Sequence, residues 1–226
     1  MVDAVETDAV NLICERIWIA IAERKLRPGA RLKEEQLAEI FSVSRARVRQ
    51  ALSILGRDGL VTLVPNRGAF VAEPTVAEAR DVFFARRTIE SRLVERLCAS
   101  ISVGDIAQLR AHVAEERKAH LAGDFSRTVR LSGGFHLLIG ELAGSPYLAE
   151  VLRDLVSRTS LITTMYQHRA VHNCGPDEHE EVVSSIAAGD VAGAIGKMNH
   201  HLMHVESELD LSDATEPPRD LREALL

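Results

Sequence analysis

Leu37-Ala38-Glu39-Ile40-Phe41-Ser42-Val43-Ser44-Arg45-Ala46-Arg47-Val48-Arg49-Gln50-Ala51-Leu52 decides how the N-terminal third of this 226-residue chain is read. A short amphipathic run ends at Phe41, a turn follows, and Ser44 stands where a hydroxyl would cap the next helix. Arg45, Arg47 and Arg49 then crowd the first turns of that helix ahead of an apolar stretch. A helix opening on guanidinium groups, directly after a short helix and turn, has the character of a major-groove reader. Arg45 and Arg49 lie four apart on one face, so these two can share the groove. Arg47, about 160 degrees away by helical geometry, is expected at the flank near phosphate.

The flanking sequence supplies the rest of a small DNA-binding unit. Val10, Ile13, Ile17, Ala20 and Ile21 predict a helix over 8–24, and Pro28-Gly29 marks its exit. Residues 33–41 form the second helix, and Ser44 caps a third that runs through Gly56 before the Asp58-Gly59 turn. Residues 60–64 and 69–71 are rich in β-formers and joined by Pro65-Asn66-Arg67-Gly68, the pattern of a hairpin wing. Asn66, Arg67 and Gly68 at its tip are candidate DNA contacts, with Arg67 aimed at the minor groove or its phosphates.

Charge agrees with that division. The chain carries a net charge of -6, yet from Arg24 to Arg67 ten basic residues stand against four acidic ones. From Val76 onward the balance reverses, with 16 basic and 23 acidic residues. A basic segment on an acidic body implies modules with different partners, and a purely architectural DNA-binding protein, basic throughout, is disfavoured. No apolar run approaches the roughly 20 residues of a membrane span. The first residues, Met1-Val2-Asp3-Ala4-Val5-Glu6, are unlike a signal peptide, so a cytoplasmic location is expected. Cys14, Cys98 and Cys174 are widely spaced, suggest neither disulfides nor a thiolate metal site, and read as small core residues.

Beyond Thr75 every segment has helical periodicity. Helices are expected over 76–100, 102–121, 124–143, 146 to about 168, 176–188 and 190 to about 209, with Ser102, Asp124 and Asp190 as caps and Pro146 in a first turn. The fold class is therefore mainly α: a winged helix-turn-helix of three helices and a β-hairpin over 1–75, then an antiparallel bundle of six to seven helices over 76–210. An acidic tail containing Pro217-Pro218 fills 211–226.

Several motifs carry a resemblance to a known family. They are Leu26-x-Pro28-Gly29-x-x-Leu32, Leu37-Ala38, Val43-Ser44-Arg45 through Val48-Arg49-x-Ala51-Leu52, Asp58-Gly59-Leu60-Val61 and Asn66-Arg67-Gly68-Ala69-x-Val71. Arg86-x-x-Ile89-Glu90, Phe135-His136, Glu178-His179, Gly189-Asp190 and Met198-x-x-His201-Leu202 follow in order. Together they resemble the GntR family of bacterial transcription regulators, in its FadR-like branch with an all-helical C-terminal ligand-binding domain. Arg47 departs from the family's usual proline, and Glu35 stands where a basic residue is common.

The resemblance implies a homodimer on a two-half-site operator, with repression the commoner outcome. It also implies a helical cavity for a small metabolite, often a carboxylic acid at or beside a metal. His136, His179 and His201 match the family's ligand histidines and fall on three separate helices, which is how a bundle builds a central site. Three imidazoles with open positions suit Zn²⁺ or Ni²⁺. Ser132 stands where the family usually places a fourth ligand, an aspartate, so either the three histidines hold the metal or the cavity binds its ligand without one. Arg86 matches a family arginine and could hold an effector carboxylate bidentately, or could instead pair with Glu90 four residues on. His112, His120, His168, His172, His200 and His204 are read as ordinary structural or surface histidines. The alternative function is a metal-dependent hydrolase fused to a DNA-binding domain. Glu178 and Glu180, its candidate bases, are each turned about 100 degrees from His179 on the helix.

Overall fold

The computed structural model describes residues 2–22, 25–166 and 175–211. α1 (Val2–Ala22) starts six residues before the expected Asp8, and the added stretch contains no glycine or proline to interrupt it. Its Val10, Ile13, Ile17 and Ile21 are buried against Leu37 of α2 (Glu34–Phe41) and Val48, Leu52 and Leu55 of α3 (Arg45–Arg57). The turn between α2 and α3 is closed by Ser42 in the left-handed region (φ 54°), with the Val43 N–H bonded to Ala38 O at 3.0 Å. The Ser44 hydroxyl then caps α3 by accepting from the Arg47 N–H.

The expected two-stranded hairpin is a three-stranded antiparallel sheet in the order β1-β3-β2. β1 (Arg31–Leu32) pairs with β3 (Gly68–Val71), which pairs in turn with β2 (Val61–Val64). Two residues are too few to show alternation in sequence. β1 is selected by packing, because Leu32 stands opposite Ala69 and both join the core of α1 and α3. At the wing tip Pro65 and Asn66 occupy the central positions of a turn closed by Arg67 N–H to Val64 O at 3.0 Å. Asn66 has φ 62°, as a type II turn demands of its third residue.

Six further helices are present among the described residues: α4 (Val76–Cys98), α5 (Val103–Leu121), α6 (Phe125–Leu142), α7 (Pro146–Tyr166), α8 (Gly175–Ala187) and α9 (Val191–Ser207). Local chemistry sets most of their starts. Thr75 with Glu78 and Ser102 with Asp105 form reciprocal capping boxes, and Asp124 and Asp190 cap α6 and α9. α4 packs on α7 and α9, α5 on α6 and α8, α6 on α7, and α8 on α9. Leu93, Leu97, Leu109, Phe135, Ile139, Leu152, Val182, Met198 and Leu202 fill the space between them. The expected end of α7 near His168 and the tail from 212 onward lie outside the described residues. Cys14 and Cys98 are half-buried at the edges of the two cores rather than within them.

α7 also reaches the N-terminal elements. Leu161 is buried in their core, and the Tyr166 hydroxyl donates to Pro74 O at 2.8 Å. The Arg158 side chain packs on Gly59, whose φ of 71° favours glycine; a Cβ there would lie 2.7 Å from the guanidinium carbon and would push that side chain aside. Arg130 of α6 pairs with Glu15 of α1 at 2.9 Å.

The Thr75–Glu78 box satisfies the first donors of the helix that opens the bundle. Thr75→Ala is expected to lower stability by about 0.5–2 kcal/mol, read from the urea unfolding midpoint.

Candidate functional sites: an arginine helix and a buried histidine cluster

The first candidate site is the exposed start of α3 together with the wing. Arg45 and Arg49 are exposed and both approach one carboxylate, Glu34 at the start of α2, at 3.9 and 3.8 Å. One acceptor reaching both confirms that they share a face. Arg47, half-buried, lies on a different side. Ser44, Asn66, Arg67 and Gly68 are all exposed, and the Arg67 guanidinium lies 5.7 Å from the centroid of the Phe70 ring. Arg31, absent from the expected contact set, faces the same ring at 6.0 Å and adds a cation beside the wing. The signal that could have located Arg31 is its place in β1, which the sequence did not reveal.

The second site lies deep in the bundle. His136 on α6, His179 on α8 and His201 on α9 are all buried, and one nitrogen from each falls within 4.8 Å of the others. The fold does this by setting α6 against the consecutive helices α8 and α9. Phe135 stacks on the His179 ring at 4.0 Å between centroids, and the His136 and His201 rings stack at 5.3 Å.

Each of these imidazoles has its own carboxylate. His136 Nδ1 lies 2.5 Å from Glu90 Oε2, His179 Nδ1 2.7 Å from Glu116 Oε2, and His201 Nδ1 2.6 Å from Glu178 Oε2. A carboxylate accepts from Nδ1–H, fixing the proton there and leaving Nε2 as a lone pair. The Nε2 atoms of His179 and His201 face each other at 3.2 Å. Two imidazole nitrogens on one zinc at about 2.0–2.1 Å stand about 3.3 Å apart in tetrahedral geometry and about 2.9 Å in octahedral geometry. The residues present therefore fit a divalent metal.

Burial dominates the electrostatics. It pushes His136 down to about 3 and His179 well below the usual imidazole range, so both are neutral, as metal ligands must be. Burial also opposes ionisation of Glu90, but the Arg86 guanidinium and the His136 ring together outweigh it and hold the carboxyl at about 2. Glu116 has no such partner. Burial pushes its carboxyl up to about 7 against the weaker pull of His136, His112, His201 and the Ser132 hydroxyl.

Arg86 pairs through Nε with Glu90 Oε1 at 2.7 Å, as the alternative reading of this residue expected. Its Nη2 is nevertheless buried without a hydrogen-bond partner. Ser132, half-buried, lies one turn before His136 on α6. Glu116 was not among the expected site residues, and Glu178 was considered only as a hydrolase base, because their histidine partners lie 63 and 23 residues away. Glu178 indeed turns from His179, but it does so to serve α9, bonding His201 and also His204 Nδ1 at 2.6 Å. His112 is bound through Nε2 to Leu131 O, a structural role. A cavity of about 330 Å³ lies elsewhere, between the wing, α4 and α7, lined in part by Leu63, Glu73, Glu78, Val82 and Arg158, and touches none of the three histidines.

A winged helix-turn-helix joined to a six-helix bundle with a buried histidine cluster defines a class of DNA-binding regulators. The family comparisons agree: residues 10–71 match the bacterial regulatory proteins of the gntR family, and residues 81–204 match the FCD domain. The chain belongs to the GntR family of transcription regulators, in the group carrying an FCD domain. The HTH-type transcriptional repressor RspR of Escherichia coli is 24% identical over 185 residues, 81% of each chain. An uncharacterized HTH-type transcriptional regulator of Streptomyces ambofaciens is 27% identical over 197 residues, 85% of this chain and 81% of its own. Among solved structures, a GntR transcriptional regulator from Rhodococcus sp. RHA1 superposes with a TM-score of 0.75 over 91% of this chain and 97% of its own, at 24% identity. E. coli McbR/YncC gives 0.74 over 88% and 98%, at 19% identity. The family and its named members are transcription regulators, not enzymes, and the hydrolase alternative finds no support in them. No described helix is long and apolar enough to cross a membrane.

Removing Glu90 would leave the Arg86 charge in the core without its partner. Glu90→Ala is expected to cost about 3–5 kcal/mol of stability, measured by urea unfolding in the presence of a chelator.

Proposed function

We propose that this regulator is a cytoplasmic, homodimeric repressor whose operator affinity responds to a small organic acid bound at a divalent metal in the bundle. The observation that carries the reading is the 3.2 Å approach of the His179 and His201 Nε2 atoms, each with its Nδ1 occupied by a carboxylate. With Nδ1 protonated on each ring, two lone pairs face each other in a dry core, an arrangement that a divalent cation between them would relieve and a third imidazole would complete. His136, His179 and His201 would hold zinc or nickel, and the bound ion would supply positions open to an oxygen ligand. Arg86 would meet the effector carboxylate with the Nη2 that Glu90 leaves unpartnered, and Ser132 would line the same space.

At the other end, residues 1–75 would act as the DNA-binding domain and 76–210 as the effector-binding and dimerisation domain. Arg45 and Arg49 would enter the major groove with Ser44 beside them, Arg47 would meet flanking phosphate, and Asn66, Arg67 and Gly68 would carry the wing along the backbone. Two copies are needed because two half-sites give the affinity that one module lacks. The E. coli relative named as a repressor favours that sign of regulation.

Two experiments test the two halves. Elemental analysis of the purified protein is expected to find one zinc or nickel per chain, lost in His179→Ala; a metal-free wild type would sink the metal reading. Against an operator selected from a random duplex pool, Arg49→Ala is expected to weaken binding by about 1–3 kcal/mol in a gel-shift assay, and unchanged affinity would remove Arg49 from the groove.

A further inference from the structure

Glu116 is the least well satisfied carboxyl in the bundle. It is fully buried on α5, with Oε2 on His179 Nδ1 at 2.7 Å and Oε1 without any hydrogen-bond partner. No lysine or arginine pairs with it among the described residues, whereas Glu90 has Arg86 and Glu178 spans two histidines. A buried carboxylate with one orphaned oxygen is costly, and its electrostatic neighbours are His136, His112 and His201 together with the Ser132 hydroxyl. A positive charge in the cluster would offset that cost.

Glu116 is not itself placed to coordinate. The group of donor atoms within mutual reach contains the three histidines and no carboxylate. Ser132 lies one helical turn before His136 and so on the same face of α6, where a carboxylate side chain would point at the cluster. The position able to give the ion a negative ligand is thus a neutral serine, and the nearby negative charge stands one step back, behind His179.

We infer that Glu116 is a positioning residue that charges and orients this metal centre through His179, in place of a carboxylate ligand at position 132. The inference rests on the metal reading above. A carboxylate behind a ligand imidazole fixes its tautomer, holds the ring and raises its basicity. With three neutral imidazoles as the only protein ligands, the ion keeps its remaining positions for exchangeable oxygen donors, and Glu116 supplies part of the neutralising charge without occupying one of them.

The test is zinc affinity of the full-length protein, measured by competition with a chromophoric chelator, alongside the visible spectrum of the Co²⁺-loaded form. Glu116→Gln keeps the shape and an acceptor for Nδ1–H but removes the charge, and is expected to weaken zinc binding about 10- to 100-fold. Its Co²⁺ spectrum should keep the wild-type shape, because the same three nitrogens bind. Adding Ser132→Asp to that variant should recover most of the lost affinity and change the Co²⁺ spectrum as a carboxylate enters the shell. Glu116→Asp, which keeps the charge but shortens the reach, should lose affinity in part and serves if the glutamine variant does not fold by circular dichroism. Wild-type zinc affinity in Glu116→Gln, or in Glu116→Asp where that variant stands in, overturns the inference while leaving the metal reading intact. A changed Co²⁺ spectrum in Glu116→Gln alone makes Glu116 a direct ligand and overturns its positioning role. A wild type that binds neither ion overturns both readings.

Discussion

The bundle is organised around hydrogen bonds between imidazole and carboxylate in a core from which water is excluded. Three histidines brought into an apolar interior must find partners for two nitrogens each, or the desolvation cost goes unanswered. Here one nitrogen of each is answered by a glutamate from another helix: Glu90 on α4 for His136 on α6, Glu116 on α5 for His179 on α8, Glu178 on α8 for His201 on α9. Those three bonds fix ring orientation, and ring orientation turns the remaining nitrogens on one another. Leu and Phe of matching volume would pack the same space without these costs, since buried ionic networks are weak sources of stability. The cluster therefore reads as a site that the surrounding apolar layers carry. Leu109, Phe135, Ile139, Val182, Met198 and Leu202 from the same helices provide the burial that holds it.

The fold was legible wherever its cause is local. Ser44, Thr75, Ser102, Asp124 and Asp190 each satisfy donors within three residues, so helix starts could be read from residue type and spacing. Asn66 and Gly68 mark the wing turn for the same reason, since positive φ there restricts the residues that fit. β1 was not legible, because nothing within two residues distinguishes Arg31-Leu32 from a loop; Leu32 is a strand residue only because Ala69 and α1 are there to receive it. The sites divide along the same line. Arg45 and Arg49 follow from a four-residue spacing on one helix. The histidine triad came from a family pattern that also contains Glu90 and Glu178, but the pairing of each glutamate with its imidazole came from neither, since the bonds that bring Glu116 to His179 and Glu90 to His136 span 63 and 46 residues.

The bundle and the DNA-binding elements are also in direct contact, through α6 and α7. α6 carries His136 toward the cluster and, less than two turns earlier, Arg130 toward Glu15 of α1. α7 packs on α6 and α4 and carries Leu161 into the core beneath the arginine helix, while Arg158 of the same helix presses on the Gly59 turn between α3 and the wing. A ligand can move such an arrangement only by binding two of its states unequally. The surface pair Arg130–Glu15 is half-exposed on both sides and contributes little to that difference. Leu161 is fully enclosed, so displacing α7 would open a cavity in the DNA-binding core and cannot happen by small degrees. The α7 contact therefore ties this helix to the DNA-binding elements as a unit.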